Sequence, residues 1–304
     1  MKELIHFKSD LMKQCRNFFY DEDFVEVNTP TLRKGTNDVF KRQEVIVENG
    51  AINSKAYLRD ALEWPLRYLL QHTDKVFELG ICYRLEKPDS THNPEFLMMT
   101  LYAAHKDINY ILNLSQKLLS KLKQREITLT NISIRDFILT DLGIDIREVE
   151  GNILKEKIIT ANSHYSEYTS RPMYEVVNRY ISDKIETLTK DYEFSYLSEY
   201  PACTLSTAKR NNKTHTINRI ELYYKGMEIA NGYEDEDDLT DKTTRSQSVG
   251  LYNYEEVTIT ELLKEKPQQG ALIGFGFDRL CMVVSDNNDI SNFIFANKFS
   301  FLHK

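Results

Sequence analysis

Between Gly270 and Arg279 the chain reads GALIGFGFDR, an apolar run punctuated by glycines that passes straight into Asp278-Arg279. It predicts a buried strand over Ala271–Gly276 and a helix over Asp278–Val284. A strand of this kind needs neighbours, and the sequence offers them in pairs. Lys75–Tyr83 and Phe96–Tyr102 read as two strands joined by a long polar loop. Ile217–Tyr224 and Met227–Tyr233 read as two more, with Lys225-Gly226 as a two-residue hairpin turn. Strands paired in antiparallel style, with helices grouped between them, predict an α+β fold rather than a parallel doubly wound sheet.

The remaining segments fill in around that sheet. Leu4, Phe7, Leu11, Cys15, Phe18 and Phe19 recur at helical spacing, so an amphipathic helix opens the chain and stops near Asp21–Asp23. Phe24–Val27 reads as a short strand ending at Thr29-Pro30, and Val45–Val47 as another. Ala61–Gln71 is helical if Pro65 lies in its first turn. From about His105 to Tyr200 the pattern becomes mainly helical, beginning with Ile108–Leu122. Thr240–Lys264 reads as helix broken by a loop. There is no internal repeat and no low-complexity linker, so the expectation is one domain over 1–304 with a helical insertion at about 105–200.

Composition narrows the function classes. The 304 residues are 41% hydrophobic, enough for one large core or two modest ones. A net charge of −7 leaves no overall basic surface with which to grip nucleic acid. No apolar run is long enough to span a bilayer, and the charged start MKELIHFKSDLMKQ is unlike a signal peptide. Cys15, Cys82, Cys203 and Cys281 lie far apart in apolar or helical patterns, without metal-ligand spacing. They suit reduced, buried thiols in a cytoplasmic protein.

Candidate chemistry gathers at the strand ends. Arg84 follows Lys75–Tyr83 and Arg279 follows the glycine-punctuated strand. A guanidinium fork stays charged and binds phosphate in bidentate geometry, and glycines such as Gly274 and Gly276 let a ligand approach the backbone. Either arginine alone would read as a surface ion pair. Glu221 and Glu228 flank the hairpin turn, where Tyr223 pairs with Glu228 and Glu221 shares their face. Two like charges there repel unless a cation lies between them, and carboxylates with triphosphate oxygens are a magnesium environment. A solvated edge hairpin is the blander alternative. Glu63, among Leu62, Trp64 and Leu66, would receive an ammonium group or form a surface ion pair. Tyr102, Asn231 and Asp235 offer acceptors for a substrate amine, while Glu236–Asp238 reads as a solvated loop. His92 has no serine or cysteine nucleophile at a familiar spacing. Two guanidinium groups, a buried phenylalanine and two glutamates together suit a bent, metal-bound nucleoside triphosphate.

These residues resemble the catalytic core of class II aminoacyl-tRNA synthetases, in the lysyl branch. FVEVNTPTL looks like motif 1, which builds the dimer interface in that class, although Asp23 stands where glycine is usual. YRLEKPDSTHNPEF resembles motif 2 and GFGFDR motif 3. The resemblance also covers YLRDALEWPLRYLL, YPACTLSTAKR and RIELYYKGMEIANGYED. It implies a class II antiparallel sheet flanked by helices, ATP and Mg2+ as cofactors, and a homodimer. It implies that Arg84 binds the α-phosphate and Arg279 the γ-phosphate, that Glu86 and His92 hold the nucleotide, and that Phe96 stacks on adenine. Glu221 and Glu228 would ligate magnesium. Glu63 would receive the α-ammonium of the amino acid, with Tyr102, Asn231 and Asp235 around its side-chain amine.

The chain begins at the motif 1 helix, so the expectation is a protein without an anticodon-binding domain. That architecture is similar to the truncated ligases of the PoxA/GenX/EpmA type, which attach a lysine-type residue to a lysine of elongation factor P. Three departures bear on substrate. Thr100 stands where both groups have a glutamate, and Asp235 shortens another. Gly274 matches the lysyl enzymes, where the protein-modifying ligases have alanine. The resemblance implies activation of a lysine-like amino acid as its adenylate, then transfer. A protein lysine is the first acceptor, a small molecule or carrier in a biosynthetic pathway the second, and tRNA the last. A non-catalytic regulator that binds ATP or an amino acid is the alternative of another class.

Overall fold

Leu11, Cys15, Phe18 and Phe19 fall on one stripe of a helix spanning Lys2–Asp21, and that stripe is buried. In the computed structural model, which describes residues 1–35, 46–49, 54–148, 151–204, 206–249, 253–265 and 269–296, the chain forms two units. The first comprises Met1–Lys106, Tyr110–Ile127 and Gly250–Lys304; the second comprises Asp107–Asn109 and Thr128–Val249. The helix Ile108–Lys123 therefore belongs largely to the first unit, although its sequence reads as the start of the insertion.

In the first unit, Lys75–Tyr83 and Glu95–Ala104 pair antiparallel along their full length, from Lys75 opposite Ala103 to Tyr83 opposite Glu95. Gly270–Gly276 pairs antiparallel with the other edge of Glu95–Ala104. Val25–Glu26 adds a short parallel strand beside Lys75–Tyr83. The sheet is mainly antiparallel and carries helices, as an α+β chain should. Phe19 packs on Phe77 with ring centroids 5.0 Å apart, joining the first helix to the sheet. A smaller sheet orders Leu32–Arg33, Ser54–Leu58 and Ile46–Asn49; Val45, read as part of the last strand, lies outside the described residues. The helix Glu63–Leu69 carries Pro65 in its first turn, where a missing N–H costs nothing.

In the second unit, Phe194–Ser198 runs parallel to Thr130–Ser133 and antiparallel to Arg219–Tyr224, which forms a hairpin with Met227–Glu234. Ile134, Ile138, Leu154, Ile158, Val177 and Tyr180 form the core of its helical part. Thr240–Lys264 resolves into the helices Leu239–Val249 and Tyr254–Glu265; the residues between them at 250–252 are outside those described. All four cysteines are free thiols. Among the described residues no helix is long and apolar enough to cross a membrane.

Glu255 sets a pH dependence. Burial pushes its carboxyl from an ordinary 4.5 up to about 7, against the opposing pull of Arg33, whose guanidinium lies 2.9 Å away. A carboxyl with a folded value above its unfolded one takes up a proton on folding. Its contribution is fully present below the unfolded value and is lost as pH rises to the folded one. Glu255→Gln removes this titration and keeps an acceptor for Arg33. Its stability relative to the parent should rise between pH 5 and pH 8 by up to about 3 kcal/mol in urea unfolding. A flat difference across that window would rule the assignment out.

Candidate active site

The strand pair of the first unit delivers Arg84 and Phe96 to one end. Cys82 lies opposite Phe96, so the polar loop leaves and re-enters the sheet almost in register. The Arg84 guanidinium lies over the Phe96 ring at 5.1 Å, and its Nε donates to the Asp60 carbonyl at 2.9 Å. Phe96 is only partly buried, not enclosed as the sequence suggests.

The loop itself is an Asx turn. Asp89 Oδ1 accepts the backbone N–H groups of Thr91 and His92 at 2.7 and 2.8 Å. His92 Nδ1 lies 2.9 Å from the same oxygen, so the turn also orients the imidazole. Slight burial works against ionisation of Asp89, but the Thr91 N–H and His92 outweigh it and hold the carboxyl down at about 2. Arg279 reaches this loop from the first turn of the helix Phe277–Ser285, donating from Nε to the Thr91 carbonyl at 3.0 Å. Both arginines thus fix Nε on a main-chain carbonyl, and the loop ties Arg279 to His92. Glu86 is half-buried in the same loop.

On the sheet, Gly274 pairs with Thr100 and Leu272 with Tyr102. Thr100 and Tyr102 are two residues apart and share a face. Among the described residues, neither Thr100 Oγ1 nor the Tyr102 hydroxyl, both buried, has a hydrogen-bond partner, an arrangement that needs an explanation. A Cβ at Gly274 would come within 3.2 Å of Thr100 Oγ1 and 2.8 Å of Met98 Cε, so glycine keeps this surface open. Glu63 is the first residue of its helix and partly exposed, where the helix dipole favours a carboxylate.

The second unit holds the other candidates. Lys225 and Gly226 have φ of 47° and 86°, the signature of a tight two-residue hairpin turn. Tyr223 pairs with Glu228 as the turn length requires, but a bulge follows and Leu222 lies opposite Ala230. The extra residue brings Asn231 opposite Glu221, placing Glu228 and Asn231 on one face despite their odd spacing. Asn231 Nδ2 donates to Glu221 Oε1 at 3.1 Å, and the Tyr223 hydroxyl donates to Oε2 at 2.8 Å. Arg219, stacked 4.7 Å above the Tyr200 ring, donates to Glu221 as well. Burial, then Glu221 and Glu228, push Glu186 up to about 7. That third carboxylate, like Arg219, gave no sign in the sequence.

Asp235 is buried at 2% exposure and bridges to Ala208 through the backbone. Glu236 corrects the expectation of a solvated loop. It is buried, 2.8 Å from the Arg245 guanidinium, and accepts the Arg210 N–H at 2.9 Å. Only Asp237 and Asp238 of that run face solvent.

Two carboxylates on one hairpin face fit magnesium, which keeps water and phosphate oxygens in its shell and seldom takes an all-protein cage. Among the described residues no three His, Cys, Asp or Glu side chains group to hold an ion.

A family model described as tRNA synthetases class II (D, K and N) matches residues 1–298. The chain belongs to this family. Among its class II relatives, a lysine–tRNA ligase of Saccharolobus solfataricus is 30% identical over 96% of this chain and 64% of its own length. Lysine–tRNA ligases of Malacoplasma penetrans and Staphylococcus haemolyticus are 28% and 27% identical, over 92% and 93% of this chain. The chain spans 62% of the length of each of these two. Its class II membership fits the mainly antiparallel sheets.

Proposed function

We propose that this protein activates a lysine-like amino acid with ATP and passes it to an acceptor. The observation that carries the reading is the pair of anchored arginines, Arg84 on Asp60 and Phe96, and Arg279 on the Asp89–His92 turn. An oxygen of the amino-acid carboxylate attacks the α-phosphorus, the bond to the bridging oxygen breaks, and pyrophosphate leaves. Arg84 would hold the α-phosphate and Arg279 the γ-phosphate, with Phe96 on the adenine and Glu86 and His92 beside the nucleotide. Glu221 and Glu228 would hold magnesium, which when bound offsets phosphate charge. The protein's own part is positioning and fixed charge, with no side-chain nucleophile.

The acceptor's amine then attacks the acyl carbon and AMP departs. We infer a protein lysine as acceptor, supported by the net charge of −7, which opposes a large polyanion. Transfer to tRNA is the second reading, and the names of the relatives favour it. A second copy of the chain would cover the exposed Ile5, Tyr20 and Val25 of the motif 1-like region. ATP–pyrophosphate exchange with lysine, β-lysine and ornithine tests the reading. Strong exchange with a neutral or acidic amino acid, and none with any of these three, would overturn the substrate class.

Thr100 makes the pocket less negative than a lysyl site, and a buried ammonium that lacks one partner of a close charge pair loses roughly 2–5 kcal/mol. Thr100→Glu should therefore raise kcat/KM for lysine by about tenfold or more. Unchanged or weaker lysine activation would show that Thr100 does not set the preference.

A further inference from the structure

Lys8 stands on the buried side of the first helix, one residue from Phe7 and three from Leu11, at 15% side-chain exposure. An ammonium in such a stripe needs a partner. Its partner is Asp278, at 2% exposure, whose Oδ1 lies 2.6 Å from Lys8 Nζ. The Phe293 carbonyl accepts a second hydrogen bond from the same ammonium at 2.7 Å. The other carboxylate oxygen, Oδ2, accepts the backbone N–H of Leu97 at 2.8 Å.

The sheet register explains that last bond. Gly276 pairs with Met98, and the chain then turns into the helix at Phe277, so among the described residues Leu97 has no strand partner on that side. The Asp278 carboxylate takes the place of the missing strand. It lies directly before Arg279 and binds the residue directly after Phe96. One carboxylate therefore fixes both the adenine-stacking ring and the γ-phosphate arginine, and Lys8 holds that carboxylate.

We propose that Lys8 is a positioning residue for ATP, acting through Asp278 on Phe96 and Arg279. This rests on the adenylation reading above. Without Lys8 the carboxylate is left buried without its counter-ion, and both groups lose a rigid common anchor. Small displacements of binding groups cost large factors, so Lys8→Met should raise the KM for ATP about tenfold. The KM for the amino acid should change less than about twofold, because it does not depend on this anchor. Lys8→Arg should recover most of the ATP affinity, and Lys13→Met, at an exposed position of the same helix, should be silent.

The experiment is steady-state pyrophosphate exchange with the full chain, alongside calorimetric titration with Mg-ATP and circular dichroism of each variant. If Lys8→Met does not fold, Asp278→Asn carries the test. It keeps an acceptor for Leu97, drops the charge, and should shift the ATP KM in the same direction. An unchanged KM for ATP, or a parallel loss of all parameters in proportion to folded protein, would overturn the proposal. A parent protein that neither binds Mg-ATP nor exchanges pyrophosphate would instead overturn the adenylation reading, before any variant is compared.

Discussion

Arg84→Ala and Arg279→Ala should each lower ATP–pyrophosphate exchange by at least about 100-fold, the usual cost of removing a fixed donor from charge that develops in a transition state. Neither side chain is a keystone of the fold. Arg84 donates to the Asp60 carbonyl and lies over the Phe96 ring, and Arg279 donates to the Thr91 carbonyl, contacts with loop main chain and a partly buried ring, so circular dichroism should be unchanged. The lysine variants separate charge from shape. Arg84→Lys keeps a cation but loses the fork that binds Asp60 and phosphate together, so it should recover only a minor part of the activity. Near-normal exchange in both alanine variants would mean that the phosphates bind elsewhere, and the proposed roles of this site would fall with it.

How much of this was legible beforehand depends on the kind of signal. Strands announced themselves through apolar runs between polar loops, and Lys75–Tyr83 has the limits that its sequence suggests. The hairpin turn was legible too, because Lys225-Gly226 supplies the positive φ that a two-residue loop demands. The bulge beside it was not, since one extra residue in a ladder leaves no mark on composition. It decides the face on which Asn231 lies. Asp89 was within reach: an aspartate two and three residues before Thr91 and His92 is an Asx-turn pattern. Glu236 ran against expectation because an acidic run looks solvated until Arg245, nine residues on, is brought onto it by the following helix. The Lys8–Asp278 pair joins residues 270 positions apart, and only the folded sheet could reveal it.

Glu78→Ala should be the most destabilising single change among the substitutions considered, costing about 3–5 kcal/mol in urea unfolding. Glu78 lies between the apolar Phe77 and Leu79 of its strand at 1% exposure, with Arg59 beside it at 5%. Arg59 NH1 donates to Glu78 Oε1 at 2.6 Å and to the Thr29 carbonyl at 2.9 Å, while the Thr29 hydroxyl donates to Glu78 Oε2 at 2.7 Å. A Cβ at Gly80 would overlap the Arg59 guanidinium, so the glycine leaves room for the charge. Removing Glu78 alone strands a buried cation. Removing both charges does not, so Arg59→Met with Glu78→Leu should cost less than Glu78→Ala despite changing more atoms. The effect should also reach the site. The Arg59 carbonyl accepts the Tyr83 N–H at 2.9 Å, and the next carbonyl, that of Asp60, holds Arg84. Folded Glu78→Ala protein should therefore bind Mg-ATP more weakly than the double variant does. A cost below about 1 kcal/mol, or a double variant less stable than the single, would show that the pair is solvated and that Arg84 is held by other means.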